Sequence, residues 1–233
     1  MTPGRELPRV FILGATPDAE IELPASEVTK FRQVLRLESG DMIGVLPGDG
    51  TMIRAKFVGR HAEPVDVIRP DTEANCRLRI AQSLPKADKL EEVVRAGTEL
   101  GVAAFTFFVS DRTIVKWDGA KQAEKLKRLG AIAREAAEVS FRTRIPALTF
   151  AGTFAEAWRA WPDAYALSES ELAVATLSGL YGQAEVTLFV GPEGGWSPRE
   201  LVAIGARGIT LGPRILRTEH AASAAAAFLL LER

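Results

Sequence analysis

Two glycine-rich segments, each directly behind a short apolar run, constrain this chain more than any other feature. Val186-Thr187-Leu188-Phe189-Val190 reads as a buried strand, and Gly191-Pro192-Glu193-Gly194-Gly195-Trp196 follows it. Gly208-Ile209-Thr210-Leu211 reads as a shorter strand, and Gly212-Pro213-Arg214-Ile215-Leu216-Arg217-Thr218-Glu219 follows. Each segment is expected at the C-terminal end of a strand in a parallel α/β sheet, where such sheets bind ligands. Gly191, Gly194 and Gly195 let the backbone turn sharply and approach a ligand closely. Either loop alone is equally an ordinary strand-to-helix turn. Two so close in sequence, the second leading into an Ala-rich helix, predict one composite site.

The rest of the chain divides near Arg69-Pro70-Asp71-Thr72. Residues 1–70 hold short strand-like runs. These are Arg9 to Leu13, a hairpin of Asp41 to Leu46 and Thr51 to Val58 around Pro47-Gly48-Asp49-Gly50, and Pro64 to Ile68. One helix is expected from Ser26, as N-cap, to Leu37; its spacing puts Arg32 and Arg36 on one face. Close-set short strands predict a small barrel. In residues 71–233 strands and helices alternate, which predicts an α/β domain with a largely parallel sheet. The strands are Arg77 to Ser83, Ala103 to Val109, Tyr165 to Leu167, Val186 to Val190 and Ile209 to Leu211. The helices are Asp88 to Leu100, Ala120 to Ser140, Phe154 to Trp161, Pro198 to Ala206 and Glu219 to Glu232.

Several chemistries are poorly served. The only histidines are His61 and His220, and no HExxH or other close metal-binding grouping occurs, so no metal site is expected. There is no GxSxG, no GxxxxGK[ST] and no GxGxxG after a strand. The single Cys76 excludes an internal disulfide. A cofactor that carries its own reactive group suits such a chain. No signal-like segment or apolar run of membrane-spanning length is present, so a cytoplasmic location is expected. Lys plus Arg number 29 against 30 Asp plus Glu, so any nucleic-acid surface must be a local patch. Candidates are Lys30, Arg32 and Arg36, and the stretch Lys121 to Arg144, although from charge alone a solvated helix surface explains both.

Five blocks in one order resemble the RsmE family of rRNA uridine-N3 methyltransferases, of the SPOUT class. They are KFRQVLRL from Lys30, KADKLEEVVRAGTELGVAAFTFFVSDR from Lys86, IAREAAEVSFRTRIP from Ile132, GPEGG from Gly191 with Glu200 beyond it, and LGPRILRTE from Leu211. The resemblance implies a SPOUT-type domain with a C-terminal trefoil knot over 71–233 and a PUA-like RNA-binding barrel over 1–70. It implies S-adenosylmethionine as cofactor, N3 of a uridine in small-subunit (16S) rRNA or the assembled small subunit as substrate, and a homodimer. It places the cofactor at Leu167, Val190, Gly191, Pro192, Glu193, Gly195, Leu211, Gly212, Ile215 and Leu216.

Uridine N3 is protonated at neutral pH, so attack requires a base or stabilisation of the developing anion. Arg142, Arg214 and Arg217 are candidates for stabilising the uracil oxyanion, and Glu219 for accepting the proton. Lys30, Arg32, Arg36, Arg112 and Arg214 are the candidate RNA contacts. The chain departs from the family pattern Glu-Gln-x-Gly-Arg at Val139 and Phe141, and has His220 where the family has Thr. Those departures keep a second reading open, a non-catalytic RNA-binding or ribosome-assembly module. A third is an enzyme that binds a phosphorylated cofactor on its glycine loops.

Overall fold

The computed structural model describes residues 3–86, 89–169 and 175–231. Its contacts separate two units, Met1–Glu73 with Ala137–Ile145, and Ala74–Ala136 with Pro146–Arg233. The segment 137–145, which sequence places in the second domain with a helix ending at Ser140, thus clusters with the first.

The N-terminal unit is a five-stranded mixed sheet. Its strands are β1 (Arg9–Phe11), β2 (Ile21–Glu22), β3 (Met42–Leu46), β4 (Met52–Val58) and β5 (His61–Ile68), in the order β1-β3-β4-β5-β2. β1 runs parallel to β3, and the other pairs are antiparallel, with Val45 opposite Ile53 in the hairpin. All five strands send side chains into one core: Val10, Ile21, Ile43, Val45, Ile53, Phe57 and Ala62, with Phe31. A sheet whose every strand faces one core must curl.

The helix expected from Ser26 to Leu37 is shorter and irregular. α1 covers Ala25–Thr29 and passes into a π-helical turn at Lys30–Val34; Pro24 is the N-cap and makes no side-chain cap bond. Arg36 then takes φ 56°, the left-handed region, so it leaves the helical path and does not share a helix face with Arg32.

Segment 137–145 is held in this unit by packing and charge. Phe141 packs with Phe11, Leu46, Met52 and Ala137, and the Arg9 guanidinium lies 4.4 Å from its ring centroid. Its φ of 62° costs about 1–2 kcal/mol for a residue with a Cβ. Burying the ring contributes roughly 1.5–3 kcal/mol, enough to offset that strain. The glycine of the family pattern at this position suits the same backbone without strain. Glu138 accepts from the Phe11 N–H at 3.1 Å and from Lys30 Nζ at 3.2 Å. Glu73 accepts at one oxygen from Nε (3.2 Å) and Nη2 (2.7 Å) of Arg142, and at the other from the N–H groups of Thr143 and Arg144 and the Thr143 hydroxyl.

The second unit is a seven-stranded parallel sheet. Its strands are β6 (Arg77–Ser83), β7 (Ala104–Val109), β8 (Ala147–Thr153), β9 (Tyr165–Leu167), β10 (Ala175–Thr176), β11 (Glu185–Val190) and β12 (Gly208–Thr210), in the order β10-β12-β9-β11-β6-β7-β8. Every recorded pairing is parallel. Sequence reasoning missed β8, whose half-exposed residues form no continuous apolar run. The helices are α2 (Lys89–Leu100), α3 (Gly119–Val139), α4 (Phe154–Ala160), α5 (Pro198–Ile204) and α6 (Thr218–Leu230). The expected first residue of α2, Asp88, and last residue of α6, Glu232, lie outside the described residues. Capping boxes at Thr153/Glu156 and Ser197/Glu200 start α4 and α5. Gly101, at φ 105°, ends α2. Phe108, Phe154, Trp158, Phe189 and Trp196 pack on one another against the sheet.

Candidate functional site

β12, β9 and β11 are neighbours in the sheet and all parallel, so the loops after them leave from one edge. Together the three loops line a cleft of about 710 Å³. They are tied to one another. The Thr218 hydroxyl donates to the Gly191 carbonyl at 2.7 Å, and accepts from Nε2 of the buried Gln82 at 3.0 Å. The Trp196 indole N–H donates to the Leu167 carbonyl at 2.8 Å. The second glycine loop is thereby fixed to the first, and the first to the loop after β9.

Three glycines have different physical reasons. A Cβ on Gly191 would lie 3.0 Å from the Trp196 ring, so Gly191 lets the indole close over the backbone. Gly195 and Gly212 have φ of 70° and 103°; a Cβ would meet only ordinary contacts with Glu169 and Arg112 at the first and open space at the second, so their backbone conformation is the constraint. The Thr210 hydroxyl holds the second turn by bonding both the N–H and the carbonyl of Gly212. The outer wall is apolar: Ile215 is 79% exposed and Leu216 38%.

A buried acid fixes the first loop from behind. Glu200, 1% exposed, accepts from the Ser197 N–H at 2.8 Å, the Ser110 hydroxyl at 3.1 Å and the Asp111 N–H at 3.0 Å. It thus joins the N-terminus of α5 to the end of β7. From the same β7 loop, Arg112 donates to the Gly194 carbonyl at 2.7 Å. Hydrogen bonds from Ser197 and Arg199 hold the Asp111 carboxyl below its usual range.

Glu219 is 4% exposed in the first turn of α6. One oxygen lies 3.3 Å from Lys89 Nζ; the other has no hydrogen-bond partner among the described residues. Burial pushes its pKa up. Its backbone N–H and Lys89 outweigh that and hold it below the usual range. Lys89 also lies 3.6 Å from Glu193, which accepts from the Lys86 N–H at 3.0 Å.

The structure brings Leu167, Val190, Gly191, Pro192, Glu193, Gly195, Leu211, Gly212, Ile215 and Leu216 to this one cleft, with Arg112, Arg214 and Arg217. Glu219 is not among the lining residues. Arg142 belongs to the N-terminal unit, buried, with its guanidinium on Glu73. Lys30, Arg32 and Arg36 also belong there, and Lys30 is paired with Glu27 and Glu138. Sequence reasoning missed Lys89, Ser168, Glu169, Trp196 and Thr218 as parts of the site. For Lys89 a signal existed in the block from Lys86; for Trp196 it was the aromatic closing the first glycine loop.

A cavity of about 770 Å³ beside Phe154, Trp158 and Arg207 is slightly larger, but neither glycine loop lines it. Backbone polar groups at strand ends make the smaller cleft the better site for a polar cofactor. Among the described residues no group of His, Cys, Asp and Glu is placed to hold a metal ion. Nor is any helix long and apolar enough to cross a membrane.

Comparison with known proteins points to one family. Residues 72–230 match a family model described as an RNA methyltransferase domain. The chain is 31% identical over 217 residues to the ribosomal RNA small subunit methyltransferase E of Bacillus subtilis, covering 85% of each chain. It is 33% identical over 225 residues to that of Synechocystis, covering 90% of this chain and 72% of the relative. Its fold is similar to the crystal structure of a ribosomal RNA small subunit methyltransferase E from Neisseria gonorrhoeae bound to S-adenosyl methionine. There the TM-score is 0.85 and the identity 27%, with 96% of each chain covered.

Proposed function

Because the chain belongs to the RNA methyltransferase family of ribosomal RNA small subunit methyltransferase E, we propose that it methylates N3 of a uridine in small-subunit rRNA. The methyl donor is S-adenosylmethionine, whose sulfonium supplies an already activated methyl group. The observation that carries this reading is the convergence of three strand-end loops on one cleft, tied through Thr218 and Trp196. A cleft of about 710 Å³ is within the range of cofactor sites. Loop backbone at Gly191, Gly195 and Gly212 reads polar edges, Leu167, Val190, Leu211, Ile215 and Leu216 provide apolar faces, and Pro192 and Glu193 complete the first loop.

Arg214 and Arg217 line the cleft and are the proposed stabilisers of charge on the uracil. Arg142 is assigned a supporting role, because its guanidinium is engaged by Glu73. A carboxyl held below its usual range is a weak proton acceptor at neutral pH, so Glu219 is assigned to fixing Lys89. Arg112 is assigned to the Gly194 loop first and to RNA second. Arg32 and Arg36 remain the proposed RNA contacts of residues 1–70, read as a PUA-like barrel; the curled sheet supports that reading. The trefoil knot over 71–233 rests on family membership. A homodimer is supported by exposed Ala224 and Phe228 on α6 and Leu231 at its C-cap, and a cytoplasmic location by the rRNA substrate. Of the departures behind the non-catalytic alternative, Phe141 is accounted for by packing in the N-terminal unit.

The test is methyl transfer to rRNA of an undermodified small subunit, with mass spectrometry of the nucleosides. The expected product is 3-methyluridine. A Gly212→Val variant should remain folded, lose cofactor binding by calorimetry and form none. Product at another atom or base would refute the substrate assignment, and unchanged cofactor affinity in Gly212→Val would refute the cleft.

A further inference from the structure

A second, smaller groove of about 220 Å³ lies in the same unit as the cleft. Trp117 forms its aromatic side, and Lys121, Lys125 and Arg128 its basic side. The three cations are spaced i, i+4 and i+7 on α3, so they share one helix face. Arg128 is committed to Glu91, with Nε at 2.8 Å and Nη2 at 3.1 Å. Lys121 and Lys125 have no ion-pair partner among the described residues. The Trp117 ring rests against Phe107 and Phe150, with centroids 6.2 and 5.7 Å away, which fixes its plane.

The groove's position connects it to the methyl-transfer cleft. Pro85 lines the groove two residues after β6, and the next residue, Lys86, donates its N–H to Glu193. The loop after β7 carries both Trp117 and Arg112, and Arg112 holds Gly194. In α2, Lys89 lines the cleft and Leu90 the groove. Cleft and groove thus lie along the carboxyl edge of one parallel sheet, the edge at which such sheets take ligands.

We propose that this groove holds a single-stranded stretch of the RNA substrate next to the target nucleotide, with a base against Trp117 and phosphates on Lys121 and Lys125. The proposal rests on the reading of the protein as an rRNA methyltransferase. A fixed aromatic face beside two lysines with no ion-pair partner among the described residues is the chemistry of single-strand binding, where every base offers a π-face and every phosphate a charge. An acidic protein segment would use the lysines and leave the indole without a purpose.

The probe is a short single-stranded oligoribonucleotide of mixed sequence, bound to the intact protein at several salt concentrations. The Lys121→Ala/Lys125→Ala variant should bind it at least tenfold more weakly. It should also lower the log–log salt slope by about 1.4, two single-strand contacts at roughly 0.7 each. Cofactor affinity by calorimetry should be unchanged, since neither lysine lines the cleft. Trp117→Phe, which keeps the packing, should reduce affinity less and leave the salt slope alone. An unchanged slope and affinity in the double variant would overturn the proposal. So would a loss of binding to the assembled small subunit without loss on naked RNA, which would assign the groove to an acidic protein surface. If the groove variants behave as expected but the wild type makes no 3-methyluridine, the groove stands and the enzymatic reading fails.

Discussion

Glu73 in the N-terminal unit and Glu219 in the C-terminal unit are both carboxylates facing a cation, and they are finished differently. Glu73 has donors on both oxygens: Arg142 on one, and Thr143 and Arg144 on the other. Glu219 is the more buried, yet it has Lys89 on one oxygen and no hydrogen-bond partner for the other among the described residues. A saturated carboxylate fixes a segment. A half-satisfied one leaves a buried oxygen without a donor, which a structure keeps at a functional site more readily than in a purely structural one. The contrast assigns segment 137–145 to architecture and the start of α6 to the working cleft.

The largest effect expected from this contrast is at Arg142. Arg142→Ala leaves Glu73 with a half-empty shell and should destabilise the protein by roughly 3 kcal/mol, measured by urea unfolding. Turnover per folded molecule should not change. A large drop in single-turnover rate at full occupancy of the folded state would return Arg142 to the reacting atoms and erase the contrast. Arg142→Lys keeps the charge without the fork and should cost about half as much.

Lys89→Met comes next, with a predicted loss of about 1–2 kcal/mol, because it removes the partner of Glu219 and a neighbour of Glu193. The pH dependence should also weaken at this site. In the wild type the Glu219 pKa is depressed on folding. Its stabilisation is therefore present above the unfolded value of about 4.3 and lost as pH falls through the folded value. In Lys89→Met only the backbone N–H and His220 oppose burial, so the folded pKa rises toward the unfolded value and the stabilisation at neutral pH shrinks. Unfolding curves between about pH 3 and 6 distinguish the two slopes, and parallel curves would show that Lys89 does not control Glu219.

The smallest effect on stability is expected for Glu219→Gln, below about 1 kcal/mol, since the shape is kept. Here the informative quantity is kinetic. If Glu219 fixes Lys89, cofactor affinity should fall several-fold with kcat little changed. A kcat lowered a hundredfold at unchanged affinity would instead make Glu219 the proton acceptor.

Much of the cleft is legible in the sequence because its parts are local. A β-branched run followed by glycines marks both loops, and both line the cleft. The parallel sheet follows from the alternation of strands and helices. What stays hidden depends on distant partners. Nothing near Lys89 in sequence signals that Glu219 will meet it. Segment 137–145 reads as part of the second domain, because contiguity is visible and the pull of Glu73 and Phe11 is not. Arg36 looks helical by spacing, but a π-helical turn and a left-handed residue break the period first. Strand β8 escapes notice because it lies at the edge of the sheet with residues only partly buried.

The left-handed backbone at Phe141 has a consequence for descent. A glycine there is free to be replaced only once a pocket such as that of Phe11, Leu46 and Met52 can receive a ring. After the ring has settled and Arg9 has stacked on it, reverting to glycine relieves the backbone but leaves a hole. Ring and pocket are thus interdependent: the strained backbone is offset only while Phe11, Leu46, Met52 and Arg9 receive the ring, and none of them can be changed without exposing that strain.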